Sequence, residues 1–282
     1  MTTIDGTFYG CSSLSDVSLP ESLTTIGGNS FRGCTSLNEI NLPESLYTIG
    51  QNAFYGCNLL DSVTIPNSII DIADNSFDSC TGLKIVTFNC KTVKKWFSGS
   101  QSLEQVILGD SVTTIGYSAF MNCSALKSIN LHHGITTVDG WAFSGCSSLP
   151  NIVLPEGITS VRYGAFRNCS SLEKIVLPTT ITMIESDAFN GCTALEGIEL
   201  PNGVTTIGSN AFYGCNAITS LDIPESVTNA NFYGMDGLKS VIIRSREAGN
   251  WFKSSKSLEQ VVLEKTVASM AESTFSGSKS LK

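Results

Sequence analysis

The sequence predicts a solenoid: one α/β-type stack of about 12–13 coils, built mainly of short parallel strands with short helical or 3₁₀ turns and bent into a curved right-handed arc. Two observations carry this. Phenylalanine recurs at Phe8, Phe31, Phe54, Phe77, Phe97, Phe120, Phe143, Phe166, Phe189, Phe212, Phe232, Phe252 and Phe275, in steps of 23 residues with three steps of 20, and Phe88 alone stands outside the series. Three residues after nine of these comes a cysteine: Cys11, Cys34, Cys57, Cys80, Cys123, Cys146, Cys169, Cys192 and Cys215.

One unit reads C-x-x-L-x-x-I-x-L-P-x-x-L-x-x-I-G-x-x-A-F-x-x, and residues 34–56, CTSLNEINLPESLYTIGQNAFYG, fit it throughout. The strand comes first. In I-x-L the apolar positions alternate with outward ones, the mark of a half-buried strand, so Ile40 and Leu42 point inward while Glu39 and Asn41 point outward. Proline follows at Pro20, Pro43, Pro66, Pro155, Pro178, Pro201 and Pro224; it has no N–H to give to a ladder and ends the strand. Two more inward residues, Leu46 and Ile49 in this unit, precede a turn. The A-F-x-x-C-x-x-L stretch has spacings of three, which predict a short helical or 3₁₀ turn. A unit alone exposes its apolar face, and only stacking covers it, so stability is shared between neighbours. Burial contributes about 1.5–3 kcal/mol per large side chain before entropy is subtracted.

Residues 82–126 echo residues 237–281 at an offset of 155: WFSGSQSLEQVIL from Trp96 returns as WFKSSKSLEQVVL from Trp251. No linker interrupts the series, which predicts a single domain over residues 1–282. The net charge is −8 and apolar residues make up 41 % of the chain. Such an acidic chain repels phosphate backbones, so nucleic acid is not an expected partner. No apolar run is long enough to insert in a bilayer, and the opening MTTIDGTFYGC has no basic and apolar leader pattern.

The unit resembles the BspA-like class of leucine-rich repeats, in which a 23-residue unit carries L-x-x-I-x-L, then L-P, then A-F-x-x-C. The resemblance spans essentially the whole chain. It implies a leucine-rich-repeat solenoid and a non-enzymatic, adhesin-like protein at the cell surface or secreted, since the class is named for a surface antigen of oral anaerobic bacteria. The implied partners are host or extracellular proteins, such as the matrix or plasma proteins fibronectin and fibrinogen. An intracellular or structural interaction scaffold of the same fold is the alternative. The chain opens and stops in mid-unit, at Ser280-Leu281-Lys282, with no distinct cap. It reads as a fragment, monomeric or paired end to end through uncovered coils.

The nine periodic cysteines form no C-x-x-C pair, which argues against zinc. Stacked coils hold their Cβ vectors parallel, which argues against disulfides, so a buried ladder of free thiols is expected; Cys90 lies outside it. His132 and His133, adjacent where other units have P-E, read as outward replacements rather than metal ligands. No phosphate loop, H-E-x-x-H, dinucleotide fingerprint or nucleophile elbow is present, and no cofactor is implied. Asn122-Cys123-Ser124 and Asn168-Cys169-Ser170 match the glycosylation pattern because an asparagine happens to precede the ladder cysteine. Trp96 and Trp251, in shortened units, fill space left by missing residues or stand out as anchors.

A solenoid binds through an extended surface. The outward strand columns therefore carry the candidate site: Ile107, Asn130, Asn151, Val153, Lys174, Val176, Glu199 and Asp222. Ile107, Val153 and Val176 are apolar on a face expected to be wet, with Glu199 and Asp222 beyond them. An apolar patch with a charged rim suits a protein ligand.

Overall fold

The computed structural model describes residues 2–253 and 255–282. Its coils stack as parallel ladders. The I-x-L segments form strands at Ser62–Ile65, Ile85–Phe88, Gln105–Leu108 and Ser128–Ile129, which pair in one sheet. Asn151–Val153 pairs with Lys174–Val176, and Ser220–Ile223, Ser240–Ile243 and Gln260–Leu263 form a third group. Register advances by one unit at each step, as in Val63↔Val86 and Val86↔Val106, so inward positions stay inward across the shortened unit.

A second ladder runs beside the first. Two-residue strands such as Thr25–Ile26, Thr48–Ile49 and Asp71–Ile72 pair in parallel. The sequence pattern pointed to one strand per unit. Two arise because L-x-x-I cannot alternate with period two: the chain bends between Leu46 and Ile49, both stay buried, and the straightened pair after the bend meets its neighbour.

Among the described residues there is no helix. The A-F-x-x-C stretch is a run of tight turns, with Arg32 N–H donating to the Asn29 carbonyl at 3.2 Å, Cys34 N–H to Phe31 at 3.1 Å and Leu37 N–H to Cys34 at 3.1 Å. The reason is written in two left-handed residues that flank the phenylalanine. Asn29 lies at φ 57° and Gly33 at φ 75°, a conformation no right-handed helix accommodates and which Gly, Asn and Asp tolerate best. Alternate amides of this stretch turn toward the next coil, with Phe31 N–H donating to the Ala53 carbonyl at 2.7 Å and Gly33 N–H to Tyr55 at 2.8 Å. Trp141 holds the first of these positions at φ 59°, where its bulk makes the backbone strained.

The core is a column of rings. From Phe8 to Phe31, Phe54 and Phe77 the centroids are 5.0, 5.1 and 5.0 Å apart with planes within 10°, offset stacking that adds to area burial. Beside it runs the thiol ladder. Each buried thiol donates to a carbonyl of the preceding coil, Cys57 Sγ to Phe31 at 3.2 Å, Cys123 to Phe97 at 3.1 Å and Cys192 to Phe166 at 3.1 Å. All ten cysteines are free, and Cys90 is buried beside Thr92. The column is interrupted once. Phe88, the residue outside the series, sits edge-on against Phe97 at 5.6 Å and Phe120 at 6.0 Å, filling the space that the shortened unit opens. Trp251 is fully buried in the corresponding later coil, and Trp96 is half-buried against Phe88 at 6.4 Å.

The shortened units also need glycine. A Cβ on Gly82 would strike the Asn58 carbonyl, and one on Gly237 the Asn216 carbonyl, backbone in both cases. We expect Gly237→Ala to cost at least about 1–3 kcal/mol by overpacking, read as a lower urea midpoint; an unchanged midpoint would show that the coils part freely there.

Candidate binding surface

The first ladder positions the candidate residues. Strand alternation turns every second side chain outward, and Ile107, Asn130, Asn151, Val153, Lys174, Val176, Glu199 and Asp222 are all exposed. Within Asn151–Val153 and Lys174–Val176, Val153 faces Val176 and Asn151 faces Lys174 in register. Val153 is 58 % and Val176 41 % exposed, so the two coils present an open apolar pair with an amide and an ammonium beside it.

The other residues are not brought into one continuous patch. Ile107 is 38 % exposed, and the Asn130 coil separates it from Val153. There the ladder breaks between Ser128–Ile129 and Asn151–Val153. The Asn130 side chain turns to the neighbouring coil instead, accepting from Leu108 N–H at 2.8 Å and donating to the Leu108 carbonyl at 3.2 Å. Its amide is already engaged. Glu199 lies in a segment without strand pairing, between the Lys174–Val176 and Ser220–Ile223 strands.

Asp222 is not a bare charge. Arg244 grips its carboxylate with Nε and Nη2 at 2.8 and 2.9 Å and lies 3.5 Å from Glu264. The Asp222 carboxylate raises the guanidinium pKa, and Glu264 adds to this. The sequence columns passed over Arg244 because it occupies the proline position of a shortened unit. Shifting that unit into register places it one coil beyond Asp222. On the leading edge of the strands, Glu104 is held by Lys127 at 2.6 Å and approached by Lys84 at 3.9 Å, and the Lys127 hydrogen bond lowers its pKa.

Burial pushes the Cys90 thiol up to about 11 and those of Cys80, Cys123 and Cys215 to about 12, so they are neutral and poor nucleophiles at physiological pH. Among the described residues no cluster of three His, Cys, Asp or Glu side chains is placed to hold a metal. His132 is spoken for: its Nδ1 accepts from Gly134 N–H at 3.1 Å and its Nε2 lies 3.1 Å from the Gly109 carbonyl, a pairing that suits the neutral ring with its proton on Nε2. Among the described residues no helix is long and apolar enough to cross a membrane.

A family model described as the BspA type leucine rich repeat region matches at residues 2–125, 90–175 and 159–282, in six copies. Among solved structures, a leucine-rich repeat protein of Bacteroides ovatus is 26 % identical, with 99 % of this chain and 76 % of that one covered and a TM-score of 0.79. A leucine rich cell surface protein of Faecalibacterium prausnitzii is 27 % identical over 93 % of this chain and 83 % of its own, with a TM-score of 0.49. A leucine rich repeat protein of T. pallidum is 22 % identical over 70 % of this chain and 82 % of its own, with a TM-score of 0.48. No curated protein sequence matches.

Proposed function

Since the chain belongs to the BspA-type leucine-rich-repeat family, we propose that it is a protein-binding module without catalytic chemistry that engages its ligand on the strand face between Ile107 and Asp222. The adjacent exposed pair Val153 and Val176 carries this reading. Two β-branched side chains held open by ladder register are preorganised to bury against a partner at little entropic cost. Lys174, Asn151 and Glu199 around them supply a polar rim. Asp222 contributes through its Arg244 pair, which presents a fixed ion pair rather than a lone carboxylate.

The family resemblance supports a place at the cell surface or in secretion and a matrix or plasma protein as ligand. The whole chain acts as one domain in this reading. A specific observation favours the alternative of an intracellular scaffold: all ten cysteines are unpaired thiols, the state the cytosol maintains. Both readings use the same face.

Binding of the purified chain to immobilised extracellular-matrix and plasma proteins tests this, with a Val153→Asp/Val176→Asp variant alongside. Both valines are exposed, so the fold should survive. The expected result is saturable binding weakened at least about tenfold in the variant. Equal binding by both proteins would remove the strand face from consideration. Absence of binding to every extracellular protein would favour the scaffold.

A further inference from the structure

We infer that a recess on the turn segments of the third to fifth coils holds the guanidinium of an arginine side chain. The column one residue after each phenylalanine reads Tyr9, Arg32, Tyr55, Asp78 and Ser98. The rings of Phe8, Phe31, Phe54 and Phe77 set these residues about one coil, 5.0 to 5.1 Å, apart. Arg32 fills the space between the two tyrosines, its guanidinium carbon 6.0 Å from the Tyr9 centroid and 5.1 Å from that of Tyr55. Its Nη1 donates to Asn29 Oδ1 at 3.2 Å.

Tyr55 is the wall between two recesses. The first, about 390 Å³, is bounded by Tyr9, Arg32 and Tyr55 and contains the chain's own cation. The second, about 530 Å³, runs from Tyr55 past Asp78 and Ser79 to Trp96 and Gln101; none of its lining residues is a cation, and Lys94 stands 5.8 Å from the Trp96 ring at the far end from Tyr55. In the fourth coil the sequence thus places a carboxylate where the second coil places a guanidinium. The Asp78 carboxylate makes no hydrogen bond or ion pair among the described residues. Gln101 is committed, donating to the Gly99 and Asn122 carbonyls and accepting from Ser124.

A planar cation entering this recess would lie against Tyr55 and present its paired N–H groups to Asp78. It would continue the alternation Tyr9, Arg32, Tyr55 by one more plate. Arginine suits both contacts, because its flat, weakly hydrated fork stacks on aromatic rings and matches a carboxylate in two places. Lysine offers a point charge and no plane. The chain makes a similar contact again between two half-buried side chains, with Arg167 5.4 Å from the Trp141 ring. The recess volume is in the range of small-ligand sites. The site lies on the turns rather than the strands and stands independently of the strand-face reading.

The guanidinium could come from free arginine or from an arginine within a protein segment. The test follows the indole N–H signal of Trp96 by NMR, assigned with Trp96→Phe. The probes are N-acetyl-arginine amide, a Gly-Gly-Arg-Gly-Gly peptide, N-acetyl-lysine amide and maltotriose. Saturable shifts are expected with both arginine probes, with Kd raised about tenfold or more in Asp78→Asn and for the lysine probe. Tighter binding of the peptide than the amide identifies a protein segment as the source; equal binding identifies the free amino acid's side chain as sufficient. Asp78 is exposed, and an unchanged thermal midpoint will show the variant folded. The inference is overturned by no saturable shift with either arginine probe, by equal response to lysine, by an unaffected Asp78→Asn, or by a shift with maltotriose alone.

Discussion

Raising the pH from 8 to 10 should remove on the order of 10 kcal/mol of folding stability. The source is the ladder of buried thiols Cys34, Cys57, Cys80, Cys123, Cys146, Cys169, Cys192 and Cys215. Burial raises the pKa of every one, to about 12 for Cys80, Cys123 and Cys215. In the unfolded chain a thiol ionises at about 8.5 to 9. Below that range both states keep their protons and pH has no leverage. Above it the unfolded chain releases protons that the folded chain retains. Stability then falls by about 1.4 kcal/mol per pH unit for each thiol, until the pH passes the folded values. Seven such groups, with Cys34 adding less than a full share, together exceed the margin of many domains. Urea midpoints measured across this interval should drop steeply. Cys169→Ser should reduce the slope by one thiol's share, since Ser278 shows that a hydroxyl can make the same bond, to the Phe252 carbonyl at 3.3 Å. Midpoints that stay level between pH 8 and 10 would mean that the thiols titrate freely and are not buried as described.

Removing one ring from the middle of the column should be nearly as damaging. Phe166 is fully buried and stacks on Phe143 at 5.5 Å and Phe189 at 5.6 Å, both with interplanar angles of 7°. Truncation to alanine loses the transfer energy of the ring, both stacking contacts, and the packing around the void, about 3–5 kcal/mol in all. The coils above and below cannot collapse into the space, because each is pinned by backbone hydrogen bonds from Phe143 N–H to Ala165 and from Phe166 N–H to Ala188, both 2.9 Å. Phe8→Ala should cost less, as that ring is half-buried and stacks on Phe31 alone among the described residues. Guanidinium unfolding of the two variants checks both claims; a loss below about 1 kcal/mol for Phe166→Ala would show that the stack is ornamental to stability.

The inward residues were legible because each repeats at a fixed place in the unit. Phe54, Cys57, Leu60, Ile49 and Leu46 are all fully buried, as their periods required. What escaped is what depends on two coils at once. The spacing of three around Phe31 suggested a helical turn, but Asn29 and Gly33 on either side adopt left-handed backbone, and the pattern of apolar residues alone does not register that. The asparagine and glycine themselves were the available signal. Phe88 looked like an irregularity, whereas it fills the gap between Phe97 and Phe120. For the candidate surface, outward direction was readable residue by residue. The engagement of Asn130 with Leu108 and of Asp222 with Arg244 was not, because each joins residues 22 positions apart. The turn column of Tyr9, Arg32 and Tyr55 is legible in the sequence in the same way as the strand columns, since each follows a phenylalanine of the series by one residue.

The bond from each thiol reaches the phenylalanine carbonyl 26 residues back, from Cys34 to Phe8 through Cys215 to Phe189. The coils with these thiols, and the last one through Ser278, are therefore fastened to their predecessors in the same way, those of Ser100, Met235 and Ser255 through their backbone ladders, and no coil is fastened to the stack as a whole. A closed globular core fixes its own size, since one more element would have no place in it. Here the interior keeps no count. The offset of 155 residues at which the sequence echoes itself equals seven whole coils, five of 23 and two of 20. Length in this chain is a quantity that can change by whole coils wherever the regular unit repeats, since there one buried side chain meets its like in the next coil.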